Sequence, residues 1–303
     1  MVKRVLVGYG IDVDAVSGWI NTEDGHLPDL TDVSRGIFGA TVGIDRLLKL
    51  WDKYSITTSW FVPAHSIESF PSQIKKIKDA GHEIGLHGYS HEHVDALTEQ
   101  QERDVLARSI EVITKFTGEH PKGWTAPSWR TSRRSIKLLE EFGIQYDHSF
   151  MHHDSQLYYV PYAPEKLSMT DISKPADQWM KPMGKLVPSS IVEVPANWHL
   201  DDWPPFQLVE GPSHGYVDPD TIERLWKTQF DFFYREYDTF VFPISIHPQV
   251  SGKPQAIMLH ERLIEYISSH EGVEWCTFAQ MVEEFKSGRI GGAEVETGAE
   301  EVL

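Results

Sequence analysis

Short apolar runs alternate with helix-like periodicity along most of this 303-residue chain. Residues 2–9, 57–62 and 83–86 are short, mainly apolar and bounded by turn residues, as buried strands are. Between the first two runs, apolar residues recur at the i, i+3, i+4 and i+7 positions of one helix face, namely Ile44, Leu47, Leu48 and Trp51. Strands that alternate with helices in this way predict a single α/β domain on a parallel sheet, closed into a barrel.

Two stretches depart from this alternation. Residues 150–190 are rich in His, Tyr, Pro and Met and show little periodicity. A loop of that length is usually functional or carries small elements of its own. Residues 291–303 carry glutamates at positions 294, 296, 300 and 301. We therefore expect a catalytic domain over residues 1–290 and a disordered acidic tail over residues 291–303.

The composition excludes several classes of partner. The chain is 40% hydrophobic and 24% charged, the balance of an ordinary globular protein. Its formal net charge of −17 argues against a nucleic acid or an anionic membrane surface as the partner. The single Cys276 excludes an internal disulfide. No apolar stretch has the length of a membrane span or the form of a signal peptide, so a cytoplasmic location is the default expectation, with unconventional secretion left open.

Two histidines four residues apart follow the third strand-like run. His87 and His91 come directly after residues 83–86, and parallel α/β folds build their active sites past the carboxyl ends of the strands. Neutral imidazoles at this spacing can both reach one divalent metal. The alternative is a pair of solvated loop histidines in a chain that contains 15 histidines.

Two further polar clusters end strand-like runs and favour the metal site. Asp12 and Asp14 follow the first run, and the two-residue period of extended chain places both carboxylates on one face. His247 follows a later run, residues 239–246. Together the clusters supply one Asp and two His ligands, plus an extra Asp and an extra His, which are the parts needed for metal-assisted hydrolysis. A polar turn is the alternative for the aspartate pair.

Five short motifs, in order, make the chain resemble a known family. They are Ile11-Asp-Val-Asp14, His87-Gly-Tyr-Ser-His91, Ala126-Pro-Ser-Trp129, Tyr146-Asp-His-Ser149 and Ile246-His247. The sequence is similar to the polysaccharide deacetylases with a NodB-type catalytic domain, also called carbohydrate esterase family four. The resemblance runs from about Val5 to Phe285 and implies an irregular (β/α) barrel in a single domain.

The resemblance also implies a division of labour in the site. It assigns Asp14, His87 and His91 as ligands of a divalent metal, usually zinc, with Asp12 as general base and His247 as general acid. Cobalt, nickel or manganese could replace zinc, because nitrogen and oxygen ligands bind several first-row ions. Three protein ligands leave a position open for water, which marks a catalytic metal site.

The sequence departs from the family's commonest pattern in two places. The first motif is D-x-D instead of two adjacent aspartates, and Thr125 stands where many members carry an arginine that pairs with the catalytic aspartate. Without that cation we expect the pKa of Asp12 to rise, unless Arg130, five residues on, replaces it. The D-x-D form resembles a subgroup of atypical peptidoglycan deacetylases, cyclic imide hydrolases and ureide-ring hydrolases.

The substrate contacts are expected on aromatic and motif residues outside the metal cluster. Residues 197–206 place Trp198 and Trp203 beside Asp202, a stretch that suits stacking on a sugar or flat ring. A packed lid with buried aromatic rings is an equally good alternative. Backbone N–H groups near Tyr146 or within residues 127–129 could supply an oxyanion hole. The substrate-binding candidates are Pro127, Trp129, Tyr146, Trp198, Asp202 and Trp203.

The residues and the resemblance together predict a metal-dependent hydrolase of non-peptide C–N bonds. De-N-acetylation of oligosaccharides that contain N-acetylglucosamine, such as chitin oligomers, is the leading expectation. A cyclic imide or ureide amidohydrolase, acting on an allantoin-like ring, is the alternative. A carbohydrate-binding protein without activity is disfavoured, because all the residues of the metal cluster and His247 are kept. The resemblance also implies that a homo-oligomer can form.

Overall fold

The structure, a computed structural model, describes residues 3–21, 25–165, 167–208 and 215–295. Its centre is a nine-stranded sheet with the order β6-β7-β5-β4-β3-β2-β1-β8, and β9 pairs with β1. The strands are β1 (Arg4–Asp12), β2 (Ser59–Val62), β3 (Glu83–Leu86), β4 (Gly123–Trp124), β5 (Tyr146–Asp147), β6 (Tyr158–Pro161), β7 (Pro188–Glu193), β8 (Thr239–Ile246) and β9 (Val273–Trp275). All strand pairs are parallel except β6 with β7.

Helices connect these strands. They are α1 (Ser17–Ile20), α2 (Leu30–Phe38), α3 (Ile44–Tyr54), α4 (Ala64–Ser69), α5 (Pro71–Asp79), α6 (Glu99–Thr117), α7 (Ser135–Glu141), α8 (Trp203–Phe206), α9 (Pro219–Glu236), α10 (Pro248–Ser251), α11 (Pro254–Ser268) and α12 (Phe278–Lys286). The sequence predicts the longer ones well because their ends are marked. Thr98 and Gln101 form the expected capping box at the start of α6, and Gly118 ends it with a φ of +88°. No helix within the described ranges is long and apolar enough to cross a membrane.

The predicted α/β fold in a single domain is confirmed, and the barrel is an incomplete one. The sheet curls, but its edge strands β6 and β8 share no ladder in the part of the chain that the structure describes. One backbone hydrogen bond, from Val241 N–H to the Ser155 carbonyl at 2.9 Å, joins β8 to the segment before β6. The molecule is therefore a half-barrel with a mixed sheet.

The concave side of the curled sheet is filled by aromatic residues that meet glycines. A Cβ on Gly123 would lie 1.9 Å from the Tyr146 ring, and a Cβ on Gly10 would lie 2.8 Å from the Phe278 ring. Side chains at these two strand positions are therefore excluded by close packing. Phe278 opens α12, which covers this side of the sheet, and Phe61 packs between the two rings.

A continuous helical segment packs against two of the loops that carry candidate site residues. α2 passes into α3 through a π-helical stretch, Gly39–Gly43. A Cβ on Gly36 would lie 2.4 Å from the Ala15 carbonyl oxygen, and a Cβ on Gly43 would lie 2.3 Å from that of Pro248. The helix backbone thus contacts the chain just after β1 and just after β8, where Asp14 and His247 lie.

The two irregular stretches contain more structure than their composition suggests. Residues 150–190 include β6, a short 3₁₀ helix at Ala176–Gln178, and the start of β7. In the expected tail, Ala293 N–H donates to the Leu157 carbonyl at 2.8 Å, while residues 296–303 lie outside the described residues. The boundary at residue 290 stays a prediction.

Candidate active site

The carboxyl ends of β1, β3 and β8 meet at one edge of the sheet. The order β3-β2-β1-β8 makes these strands near neighbours, so the polar residues that follow them converge. A cavity of about 100 Å³ opens there. Its lining consists of Asp12, Asp14, His91, Ser128, Trp129, Trp198, Asp201, Trp203 and His247.

Asp14, His87 and His91 form a compact cluster with free ligand atoms. The Oδ1 atom of Asp14 lies 3.4 Å from His87 Nε2 and 3.6 Å from His91 Nε2. Asp14 Oδ1 and His87 Nε2 are buried and have no hydrogen-bond partner among the described residues. Buried polar atoms of this kind need an explanation, and one carboxylate with two imidazoles is a donor set for a divalent metal. The residues present therefore fit the metal that the sequence predicts.

The two candidate ligand histidines, His87 and His91, are oriented by hydrogen bonds on their opposite ring nitrogens. His87 Nδ1 lies 2.8 Å from the Thr125 carbonyl oxygen, which can only accept, so Nδ1 carries the proton and Nε2 presents its lone pair to the cluster. The Asn21 amide contacts His91 Nδ1 at 3.0 Å and donates to the His91 carbonyl at 2.6 Å. The side chain of Thr125 itself makes no hydrogen bond within the described ranges, so its contribution to the site is the carbonyl.

Gln249 forms a hydrogen bond with the second carboxylate oxygen of Asp14. Its Nε2 donates to Asp14 Oδ2 at 3.1 Å. Burial by itself would raise the pKa of Asp14, but the neighbouring His91 and His87 rings outweigh it and keep the pKa well below its usual value. Asp14 is thus held as a carboxylate, the form in which it can bind a metal.

Backbone strain is concentrated around this edge of the sheet. Ala15, His91, Ser128 and Trp129 all have a positive φ, between 50° and 61°. Left-handed backbone at residues other than glycine costs roughly 1 kcal/mol or more each, and it persists where the surroundings enforce it, often at functional sites. These turns direct the His91, Ser128 and Trp129 side chains toward the cavity.

Asp12 is buried beside two histidines, and no arginine pairs with it within the part of the chain that the structure describes. Its Oδ2 lies 3.7 Å from His87 Nε2 and 3.9 Å from His247 Nε2. Burial raises the pKa of Asp12, opposed by the two histidines and assisted by Asp14, so the expected upward shift is present. Arg130 does not replace the missing arginine, because its guanidinium lies on Asp95 at 2.6 Å, away from the cavity. The positive partners of Asp12 are therefore imidazoles.

Asp202 orients His247 instead of facing a substrate. Its Oδ1 accepts from His247 Nδ1–H at 2.7 Å, and its Oδ2 accepts from the His247 backbone N–H at 3.0 Å. Asp202 is fully buried and is not among the residues that line the cavity. Burial would lower the pKa of His247, but Asp202 and Asp201 outweigh it and raise the pKa well above its usual value. His247 is thus held protonated, with Nε2 toward the cavity.

A buried chain of hydrogen bonds continues behind Asp202. The carboxylate can only accept, so Ser251 O–H donates to Asp202 Oδ2 at 2.5 Å. Ser251 Oγ then accepts from His260 Nε2–H at 2.8 Å, which leaves His260 Nδ1 to accept from Tyr9 O–H at 3.2 Å. Burial lowers the pKa of His260 to about 4, so this ring is neutral. Every donor in the chain points toward Asp202.

Three tryptophans surround the mouth of the cavity. The rings of Trp129 and Trp198 are 4.5 Å apart and inclined by 63°, and Trp203 lies 5.0 Å from the His247 ring. Trp198 is 44% exposed, so one of its faces remains open to a ligand. The packed-lid alternative holds only in part, because all three rings border the cavity.

Besides Asp202, two more of the expected substrate-binding residues, Tyr146 and Pro127, do not line the cavity. Tyr146 is fully buried on the concave side of the sheet, where its hydroxyl donates to Glu83 Oε1 at 2.7 Å. Its backbone N–H contacts the Lys122 carbonyl at 3.3 Å, so it is not free for an oxyanion. Pro127 is buried and packs close to Gly88. Ser128, next to Pro127, lines the cavity instead.

The segment Tyr146-Asp-His-Ser149 has a structural role. Asp147 and Glu193 are fully buried neighbours on β5 and β7, and one carboxylate oxygen of each, Asp147 Oδ2 and Glu193 Oε2, has no hydrogen-bond partner among the described residues. Burial raises the pKa of Asp147 to about 7, and burial together with the neighbouring Asp147 raises the pKa of Glu193 well above its usual value, so the pair keeps a proton. In the second half of the chain, the acidic residues that lie beside His247 are Asp201 and Asp202.

Sequence reasoning missed Gln249 and Ser128 as site residues, and of the two adjacent acids it selected Asp202 instead of Asp201. Gln249 comes two residues after His247, and Asp201 precedes Asp202, so sequence proximity to a predicted site residue was the available signal. Asp201 is positioned by a parallel bridge to Ser245 of β8, a long-range contact that no local pattern shows.

Comparison with known proteins agrees with this geometry. Residues 38–146 match the family model described as polysaccharide deacetylase. A peptidoglycan deacetylase of Helicobacter pylori is 48% identical over 288 residues, which are 94% of this chain and 97% of the relative. A solved structure from Mycobacterium smegmatis, provisionally assigned as a polysaccharide deacetylase, has a TM-score of 0.80 and 28% identity, covering 98% of this chain and 95% of that one.

A solved allantoinase structure has the same fold. Its TM-score is 0.74 at 23% identity, over 94% of this chain and 91% of that one, which is a likeness of fold alone. The near-complete match to the Helicobacter relative, at 48% identity, carries the assignment. The chain belongs to the polysaccharide deacetylase family.

Proposed function

We propose that this protein is a metal-dependent hydrolase that removes the N-acetyl group from N-acetylglucosamine units of a glycan. The observation that carries the proposal is the single cavity where the cluster of Asp14, His87 and His91 faces both Asp12 and His247. A metal ligand set, a buried carboxylate and a protonated histidine are the groups that amide hydrolysis requires.

Each side chain has a separate task in this proposal. Asp14, His87 and His91 hold the metal, proposed to be zinc, which lowers the pKa of water and polarises the amide carbonyl. Asp12, next to the ligands, accepts the proton of the attacking water. His247 donates its Nε2 proton to the departing amine, and Asp202 on Nδ1 keeps the ring charged and correctly turned until that transfer.

The size of the cavity favours an acyl group as the part that enters. About 100 Å³ accommodates an acetamido group but not a whole sugar ring. The open face of Trp198 at the mouth suits stacking on the sugar that carries the group. The name of the Helicobacter relative supports peptidoglycan fragments ahead of the chitin oligomers expected from sequence.

The test is acetate release by one zinc-loaded preparation from peptidoglycan fragments and from chitin oligomers, with a chelated aliquot as the control. Release that the chelator abolishes and zinc restores is the expected result. Absence of release from both substrates by the metal-loaded protein would refute the proposal. Release from chitin alone would keep the reaction and overturn the preferred substrate.

A cyclic imide or ureide hydrolase is the second candidate. The small cavity enclosed by Trp129, Trp198 and Trp203 would also hold a flat five-membered ring, which is the observation that favours it. The same preparation is therefore incubated with succinimide and hydantoin, and ring opening is followed by absorbance. Ring opening without acetate release would replace the deacetylase proposal by this one.

A further inference from the structure

A second, much larger cavity lies beside the catalytic one. Its volume is about 1020 Å³, and Trp19, Arg35, Gln249 and Lys253 are among the residues that line it. Gln249 joins the two cavities, because the same side chain donates to Asp14 Oδ2. Trp19 borders the large cavity, and its ring is 6.3 Å from that of Trp203, which borders the small one. The two cavities are therefore neighbours that share a wall.

The large cavity contains a cation without an anionic partner. Lys253 is partly buried, and its ammonium group makes no hydrogen bond or ion pair with any residue in the described ranges; the Nζ atom lies 3.4 Å from the centre of the Phe38 ring. Burial lowers the pKa of Lys253, and the neighbouring Arg46 and Arg35 lower it further. The lining also carries Arg35 and three aspartates, Asp29, Asp32 and Asp218, so the unpaired cation is Lys253 itself and the cavity as a whole is not positive.

None of the three aspartates that line the cavity, Asp29, Asp32 and Asp218, is paired with Lys253. Asp32 pairs with Arg35 at 2.7 Å, and Asp29 accepts from the Thr31 backbone N–H at the start of α2. Arg46 donates to the Gly252 carbonyl at 2.9 Å, and its guanidinium lies 5.7 Å from the centre of the Phe38 ring, so it adds positive charge near Lys253. The positive charge of Lys253 is thus available to a ligand.

We propose that this cavity is a second substrate subsite, in which Lys253 binds a carboxylate carried by a substituent of the glycan. The inference rests on the proposed function and narrows its substrate. A peptide or an acidic substituent attached to the sugar supplies such a carboxylate, whereas a chitin oligomer has none. The subsite therefore selects acidic, peptide-bearing glycan fragments over neutral ones.

The experiment compares three substrates and three proteins. The substrates are a peptidoglycan fragment with free carboxylates, the same fragment with its carboxylates amidated, and a chitin oligomer. The proteins are the wild type, Lys253→Met, which keeps an unbranched stem over Phe38, and Lys49→Met as a control at an exposed lysine of α3. Steady-state acetate release gives kcat and KM, and isothermal titration calorimetry gives Kd.

We expect Lys253→Met to raise KM and Kd for the acidic fragment about tenfold, since a hydrogen bond to a charged group contributes on the order of 1.5 kcal/mol or more. Its kcat, and all constants for the amidated fragment and the chitin oligomer, stay unchanged. Lys253→Arg keeps the positive charge and binds the acidic fragment more tightly than Lys253→Met does. Lys49→Met behaves as the wild type. Added salt reduces the difference between acidic and amidated fragments.

Failure of the subsite and failure of the proposed function give different results. Equal KM and Kd of the wild type for acidic and amidated fragments would overturn the subsite while leaving deacetylation intact. Absence of acetate release, with calorimetry still showing a preference for the acidic fragment that Lys253→Met abolishes, would overturn the deacetylase and keep the subsite.

Discussion

The hydrogen-bond chain behind His247 makes the role of Ser251 testable. Ser251→Ala removes the hydroxyl that donates to Asp202 Oδ2 at 2.5 Å and leaves His260 Nε2–H without an acceptor. Ser251 and His260 are both fully buried, so water cannot take over either bond. A hydrogen bond to a charged group contributes about 1.5–3 kcal/mol, and an unsatisfied buried donor costs about 1–3 kcal/mol.

The two contributions are not additive, because they belong to one network. We therefore expect the free energy of unfolding to fall by about 2–3 kcal/mol, measured by urea denaturation. Asp202 keeps both bonds to His247, but the carboxylate loses the donor that fixes its far side. His247, the proposed general acid, is then less precisely oriented, and we expect kcat for acetate release from an amide to fall about tenfold, or about 1.4 kcal/mol in the barrier.

The assay separates this effect from general damage to the site. An amine must be protonated as it departs, whereas the phenolate of 4-nitrophenyl acetate leaves without a proton. Ser251→Ala should therefore slow the amide reaction and leave the kcat of the aryl ester nearly unchanged. Ser69→Ala, at an exposed serine of α4, is the control and should alter neither. An equal fall in both reactions would refute the reasoning, as would unchanged stability.

Three further predictions concern the ligands, the buried acid pair and the aromatic mouth. His91→Ala should lose retained metal in elemental analysis, while Asp12→Asn should keep metal and lose at least about a hundredfold in kcat; full activity of the latter would reassign the base. Because the pKa of Asp147 is about 7, the folded state keeps a proton on the pair of Asp147 and Glu193, whereas the unfolded chain releases it above about pH 4. The free energy of unfolding should therefore fall as the pH rises from 4 to 7. Glu193→Gln should flatten that slope in denaturation series at several pH values, and a steeper slope would contradict the shared proton. Trp198→Ala should raise KM about tenfold for glycans with little change in kcat, as stacking contributes about 1 kcal/mol or more; an unchanged KM would place the sugar elsewhere.

The predicted elements that the structure confirms are those with strong local signals. β3 and β8 begin and end where the apolar runs do, and α6 starts at its capping box. The residues around Leu30–Phe38 gave no such signal, because glycines interrupt the apolar pattern of the helical segment. These glycines allow the helix backbone to pack closely against Ala15 and Pro248. Local periodicity does not reveal such a helix, because its glycines are required by contacts with backbone that is distant in the sequence.

The site residues also divide into those that a local pattern predicts and those that depend on long-range contacts. The structure brings Asp12, Asp14, His87, His91 and His247 together, as the positions after parallel strands predict. Asp202 was expected to contact the substrate, but the bridge between Asp201 and Ser245 turns it toward His247. Adjacent residues of an extended segment point in opposite directions, so the pairing decides which of the two acids faces the cavity.

The sequence by itself determined which chemistry this chain can support, because ligand types and their placement after short apolar runs are local properties. It also determined the α/β class, since the periods of strands and helices are written in consecutive residues. Only the tertiary structure decided that Tyr146 fills the concave side of the sheet, that Gln249 donates to Asp14, and that Lys253, on the wall of the large cavity, has no anionic partner among the described residues. Those outcomes depend on contacts between segments far apart in the chain, where packing and burial, not local pattern, choose the neighbours of each side chain.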